Sequence, residues 1–515
     1  MASMLSYLAL IVPGTVASPG PEPLARFGDG SVVAQEPAPN PTPVVAEKIT
    51  AQTELTVDAM AKDREVLFDA LETLHASLTR YQSAGQWEAA KRALARAQAK
   101  PMSLQANYVA ISRLLGSIRC GHTYANYYNQ TDAVQAALFD RADKLPLTFR
   151  RIEDKWLVER AVDIPRGSEL VAINDRRMGV ITRDLLPYVK ADGSNDGKRL
   201  YDLQLTGLGQ FEAWDVLQPM IFPPRDGLYV VKFRRPGKSV LESIAVLPIT
   251  RAARRERLKL IEPEPWQVSV TPDKIGVLTM RSWTTWNFKF KWDAFLRDAF
   301  TRFRQETPQN LVIDLRGNEG GADDVIRALA LAIVPRPIEY QEPEVSVRFE
   351  TVPERLRPHL SSWNPIWDWR PQIARREAGR FYRVRAPKVT VGPGDQTYRG
   401  RVWVLMDAGN SSATFGFARL VREFQLGTLV GTTTGGNQRG TSGGQFFVLT
   451  LPNSRITADI PLLTRDTPPG APDRGLDPDV PVRTTVADYQ AGVDAEMRAI
   501  RERIARINAG QIDRN

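Results

Sequence analysis

The sequence predicts a mixed α/β chain of several domains: a helical segment first, a small β-rich module second, and a strand–helix alternation last. Three observations carry this. Apolar residues recur at the helical period between about 49 and 118, short apolar runs bounded by turns replace them from about 145, and continuous apolar strands alternate with amphipathic helices from Lys274. Continuous apolar strands bounded by turns indicate a sheet covered on both faces. At 515 residues with 43% hydrophobic content, the chain has room for roughly three to four domains.

Taken in order, residues 1–18 read as a signal peptide. The run Leu5-Ser-Tyr-Leu-Ala-Leu-Ile-Val12 is too short to span a membrane, and Thr15-Val16-Ala17 offers a small-residue cleavage site, although no Lys or Arg precedes Arg26. This predicts an exported protein, periplasmic or secreted. Residues 19–48 are Pro-rich and lack apolar periodicity, as expected of an extended tether. Residues 49–130 form the helical domain. Val66, Leu67, Ala70, Leu71 and Leu74 share one helix face; Tyr108, Ile111, Leu115 and Ile118 share another, on a helix expected to end at Gly121-His122. Residues 145–260 hold the β-rich module, with strands at Trp156–Val158, Leu170–Ile173 and Leu228–Phe233 and a helix at Val180–Val189. Residues 270–485 form the α/β domain, with strands at Ile275–Met280, Leu311–Ile313 and Val402–Met406. Helices are expected through Trp292–Phe303, over Asp324–Ile333 and over Ser412–Phe424. Residues 486–515 end in a helix. The Trp-rich stretch from about 335 to 385 has no local pattern to read.

The net charge of +9 is dispersed. Its densest run, residues 251–259, lacks interleaved aromatics, so a solvated helix face or linker is expected there and no nucleic-acid partner. The single cysteine, Cys120, excludes intrachain disulfides and leaves no Cys-x-x-Cys metal signature. No run after the first approaches a membrane span.

Three stretches carry chemistry. Ser412 follows a strand and a turn and opens a helix, where unpaired N–H groups and the helix dipole favour a developing oxyanion; an N-cap is the plainer alternative. The run Asp314-Leu-Arg-Gly-Asn-Glu-Gly-Gly321 joins a strand to a helix through a Gly-rich turn at a sheet's C-terminal edge, where open α/β sheets bind ligands. It lacks the spacing of a phosphate loop. His122, in Cys120-Gly121-His122-Thr123, is one of only three histidines, and either caps a helix or serves as a base.

Together with Gly167-Ser-Glu-Leu-Val-Ala-Ile-Asn174, Val430-Gly-Thr-Thr-Thr-Gly-Gly436 and Gly475-Leu-Asp-Pro-Asp-Val480, in this order over residues 55–485, these stretches resemble the tail-specific, or carboxyl-terminal processing, serine protease superfamily. The resemblance implies a PDZ-like module at 145–260 and a ClpP/crotonase-like catalytic domain at 270–485. It implies a serine-type peptidase acting on peptides or proteins, with no metal or organic cofactor. The nucleophile would be Ser412. The processing proteases carry a general-base lysine where this chain has Asn437, whose amide cannot take a proton. The tricorn-like branch uses a histidine, which falls on His122. An acidic partner is expected near the last Pro-Asp motif, at Asp473 with Asp466 behind it, and the oxyanion hole at the amides of Ala413, Gly320 and Gly321. The alternative is a catalytically weak ligand- or peptide-binding protein on the same frame.

Overall fold

The computed structural model describes residues 49–511 apart from 342, 385–387, 395–396 and 466. The signal peptide, the tether and Asp466 lie outside the described residues.

The strand–helix alternation after Lys274 builds a six-stranded sheet in the order Val480–Pro481, Thr428–Gly431, Arg401–Met406, Asn310–Asp314, Ile275–Met280, Trp266–Val270. All neighbours run parallel except the last pair. Its strands are apolar on both faces because both are covered. Leu311 and Ile313 pack with the helices Trp292–Glu306, Asp324–Ile333 and Ser412–Phe424. Val312, between them, points the other way, against Ile500 and Ile507 of the C-terminal helix Ala495–Asn508. Arg316 ties that helix to the sheet, pairing with Asp314, Asp494 and Glu496.

A second six-stranded sheet, antiparallel, is one the sequence did not announce. It orders Leu360–Ser361, Ser442–Thr450, Thr457–Arg465, Val345–Val347, Arg380–Arg383, Ile373–Glu377. The unreadable stretch from 335 to 385 therefore consists partly of short strands whose partners include the long hairpin 442–465. Such pairing is non-local and leaves no periodic mark in so short a run. A third, antiparallel sheet orders Thr148–Ile152, Lys155–Arg160, Glu169–Ile173, Tyr229–Arg234, Glu242–Val246. Helices Met178–Leu185 and Ala213–Ile221 accompany it.

One apolar cluster joins the N-terminal helices to both antiparallel sheets, running from Leu71 and Ile111 through Phe149 and Trp214 to Phe447. One sequence expectation needs correction. The helix Leu104–Ser117 stops before Gly121-His122, because Arg119 turns into the left-handed region at φ 56°; His122 therefore sits in a turn and caps no helix. The basic helix Arg251–Arg257 exposes one face to solvent, while its period carries Arg254 inward, where the guanidinium pairs with Asp215 in the core.

Candidate active site

Two turns leave the C-terminal edge of the parallel sheet side by side, one after Asn310–Asp314 and one after Arg401–Met406. Buried amides and hydroxyls lock them together. The Asp407 carboxylate accepts from the amides of Gly317 (3.0 Å) and Gly409 (2.8 Å). Asn410 Nδ2 donates to the Asn318 carbonyl at 3.0 Å, and Thr414 Oγ1 donates to that carbonyl at 2.7 Å. Asn318 in turn donates to the Met280 carbonyl at 2.8 Å. Satisfied buried networks of this kind hold a single geometry. Asn318, Asn410 and Thr414 were not singled out from sequence, although their flanking Gly-rich and Ser-Ser-Ala signals were.

Ser412 is the product of this lock. It opens the helix Ser412–Phe424 with φ at +50°, a region that non-glycine residues enter mainly under tertiary constraint. Ser411, not Ser412, occupies the N-cap position, and its hydroxyl bonds the Glu319 carbonyl at 3.2 Å. Ser412 Oγ lies 3.2 Å from His122 Nε2, a contact between residues 290 positions apart. The fold thus brings together the two residues selected from sequence.

The His122 ring sits near Phe446, centroid to centroid at 5.7 Å. Burial, and then the charges of Lys190 and Arg465, hold its pKa down at about 4, so the ring is neutral at ordinary pH; the Ser442 carbonyl pulls mildly the other way. Its Nδ1 edge is buried and makes no well-formed hydrogen bond among the described residues.

Asp473 does not supply a partner for that edge. Its carboxylate accepts from Ser194 N at 2.9 Å, Ser194 Oγ at 3.0 Å and Asn437 Nδ2 at 2.7 Å. Asn437, in the lysine position, engages Asp473 and ties it to the loop at 192–194. Asn437 is fully buried and also donates to the Asp192 carbonyl at 3.1 Å.

The three expected oxyanion amides divide. Gly320 N–H is already used, donating to Asn318 Oδ1 at 2.9 Å. The amides of Ala413 and Gly321 make no hydrogen bond to an acceptor among the described residues. Gly321 is required where it stands, since a Cβ would lie 2.2 Å from the carbonyl carbon and oxygen of Trp283.

Charged neighbours missed from sequence complete the surroundings. Glu319 lies 3.3 Å from Lys198 and 3.5 Å from Lys190. Burial would raise its pKa, but the two ammonium groups prevail and hold it at about 2. Lys190 also faces the Tyr124 ring at 4.9 Å. Glu319 lies within the Gly-rich run 314–321, but no local motif marks Lys190 or Lys198, which come from separate segments. Cys120 is inert by contrast, its thiol pushed up to about 12 by burial and by Asp192.

This arrangement offers a neutral imidazole on a serine hydroxyl beside free backbone amides, which is the equipment of acyl transfer. The model of peptidase family S41 matches residues 274–482. Mature CPAF complexed with lactacystin shares the fold at 12% identity with a TM-score of 0.58, covering 88% of this chain and 99% of that one. The crystal structure of a CPAF mutant aligns with a TM-score of 0.60 at 12% identity, over 85% and 95% of the two chains. No curated protein matches the sequence.

Proposed function

We propose that this chain, which belongs to the serine peptidases of family S41 through residues 274–482, cleaves peptide bonds with Ser412 as nucleophile and His122 as general base. The observation that carries this reading is the 3.2 Å contact between His122 Nε2 and Ser412 Oγ, within reach for proton transfer in a resting enzyme.

In the proposed cycle, Ser412 Oγ attacks the scissile carbonyl carbon as its proton passes to His122 Nε2. The carbonyl oxygen becomes an oxyanion held by the amides of Ala413 and Gly321. Collapse of the tetrahedral intermediate breaks the C–N bond, and the imidazolium returns its proton to the leaving amine. Water then attacks the acyl-enzyme by the same route, releasing the carboxylic acid and restoring Ser412. Asn437 takes no proton at any step, so the cycle is of the Ser–His kind. The domain at 270–485 is read as ClpP/crotonase-like and the sheet module at 145–260 as PDZ-like, a module suited to holding an extended peptide by strand addition.

A fluorophosphonate probe tests the assignment. Stoichiometric labelling of Ser412 is expected, abolished in Ser412→Ala and reduced by at least about 10³-fold in His122→Ala. Folded wild-type protein that takes no label sinks the proposal. The orphan Nδ1 edge of His122 then favours the second reading, a peptide-binding protein on this frame.

A further inference from the structure

A catalytic imidazole must keep one tautomer and one orientation, and among the described residues no carboxylate is bonded to the edge of His122 remote from Ser412. What does approach the ring is backbone. A Cβ placed on Gly443 would lie 3.5 Å from His122 Cε1 and 3.7 Å from both Nδ1 and Nε2, so the start of the strand Ser442–Thr450 runs along the ring.

Both sides of this contact are held by the segment that leaves the first helix, Val57–Leu74. The side chain of His75 is fully buried. Its Nδ1 accepts from the Ser77 amide at 3.1 Å, which leaves the proton on Nε2, and Nε2 donates to Thr123 Oγ1 at 2.8 Å. Thr123 directly follows His122, so this bond grips the turn that carries the base. Ser77 Oγ, two residues along from His75, bonds Ser442 Oγ at 2.5 Å. The same segment is pinned to the sheet by the Ala76 amide on the Pro461 carbonyl at 3.1 Å and by the Tyr81 hydroxyl on the Gly440 carbonyl. Ser77, Thr123 and Ser442 are all buried. The contacts run from His122 to Thr123 along the chain, from Thr123 to His75, from His75 to Ser77 and from Ser77 to Ser442, whose chain neighbour Gly443 stands against the His122 ring.

We infer that the Ser442 carbonyl takes the place of the missing acid: it receives the Nδ1–H of His122, and His75, Ser77 and Thr123 are positioning residues that hold donor and acceptor in register. The inference rests on His122 being the base of Ser412. It accounts for the orphan Nδ1 edge and for a histidine buried where a purely apolar residue would pack at no polar cost. Burial, with Arg348 and Arg80 nearby, holds the His75 pKa at about 3, so His75 stays neutral and keeps its tautomer across the working pH range. A carbonyl carries less charge than a carboxylate, so the imidazolium formed during reaction is stabilised less; positioning is its main service.

The test reads the tautomer directly, by ¹⁵N–¹H correlation of histidine side chains in the full chain, assigned with His75→Gln and His359→Gln. Wild-type His122 is expected as the Nδ1–H tautomer. Thr123→Val, close to isosteric, and Ser77→Ala are expected to mix its tautomers. Both should slow fluorophosphonate labelling of Ser412 by about 10-fold or more and lower kcat at little change in KM, while Thr123→Ser restores both readouts. Asp473→Asn is expected to leave the tautomer unchanged. The inference is overturned by an Nε2–H tautomer in the wild type, by an unchanged tautomer in both Thr123→Val and Ser77→Ala, or by loss of the Nδ1–H form in Asp473→Asn. Wild-type protein that shows the Nδ1–H form but takes no label refutes the peptidase reading and leaves the orientation of His122 standing.

Discussion

Replacing Gly320 with alanine probes the site at its tightest point. Gly320 has φ +104°, where L side chains are rarely found. A methyl group there would stand 2.8 Å from Ala413 N, 3.0 Å from the Ser411 carbonyl oxygen and 3.0 Å from Ser412 Cβ. None of these is the far end of a flexible side chain, so relief must come from moving the turn that carries Ser412 or the turn that carries Gly321. The unfavourable backbone costs about 1–3 kcal/mol, and the overpacking about as much again. The structure can relax in part, and whatever relaxation occurs displaces the nucleophile or an oxyanion amide. A misplacement of about 1 Å costs on the order of 10²-fold in rate. Gly320→Ala is therefore expected to remain folded but less stable, with kcat/KM down about 10²-fold and most of the loss in kcat. Peptide hydrolysis and thermal unfolding measured on one preparation check this. A folded variant with parental kcat/KM would refute the packing argument and the place of the 320–321 turn in the site.

Three further outcomes are expected. With the His122 pKa at about 4, about nine-tenths or more of the base is neutral at pH 5.5, against about a tenth for an ordinary imidazole at about 6.5; the acid limb of kcat/KM should fall near 4, and a limb between 6 and 7 contradicts the burial argument. The sign for stability is the same: the fold favours the neutral ring, so that contribution is present above about 6.5 and is lost as pH falls toward the folded value. Asn437→Lys in a His122→Ala background should not restore activity, since the new ammonium would meet the Asp473 carboxylate now 2.7 Å from Asn437 Nδ2 and stay protonated; recovered hydrolysis would count against it. Arg316→Met strips Asp314, Asp494 and Glu496 of their shared cation and should cost about 1–3 kcal/mol, discounted from the buried-pair range because the arginine is partly exposed. Faster proteolytic release of the C-terminal helix is the measurement, and unchanged protection argues against that clamp.

Ser412, the proposed nucleophile, was legible because its signal is local. A strand, a short polar turn and an amphipathic helix follow one another along the chain, and the spacing of Val402–Met406 and Ser412–Phe424 reports them before any contact is known. The same holds for the Gly-rich turn at 317–321 and for the alternation that builds the parallel sheet. His122 was legible for a different reason: with three histidines, few bases were available. The strands between 335 and 385 were not legible, because each is short and some pair with the distant hairpin 442–465.

What the amino-acid pattern settled on its own was the α/β alternation, the serine at a helix start and the absence of a lysine base at Asn437, since each depends on residue type and near-neighbour spacing. Tertiary structure decided the rest. The 3.2 Å approach of His122 to Ser412 joins elements 290 residues apart. The hold on Asp473 comes from Ser194 and Asn437, and the hold on the His122 turn comes from His75. Distances between remote segments follow from how a shared core packs, and no local period encodes them.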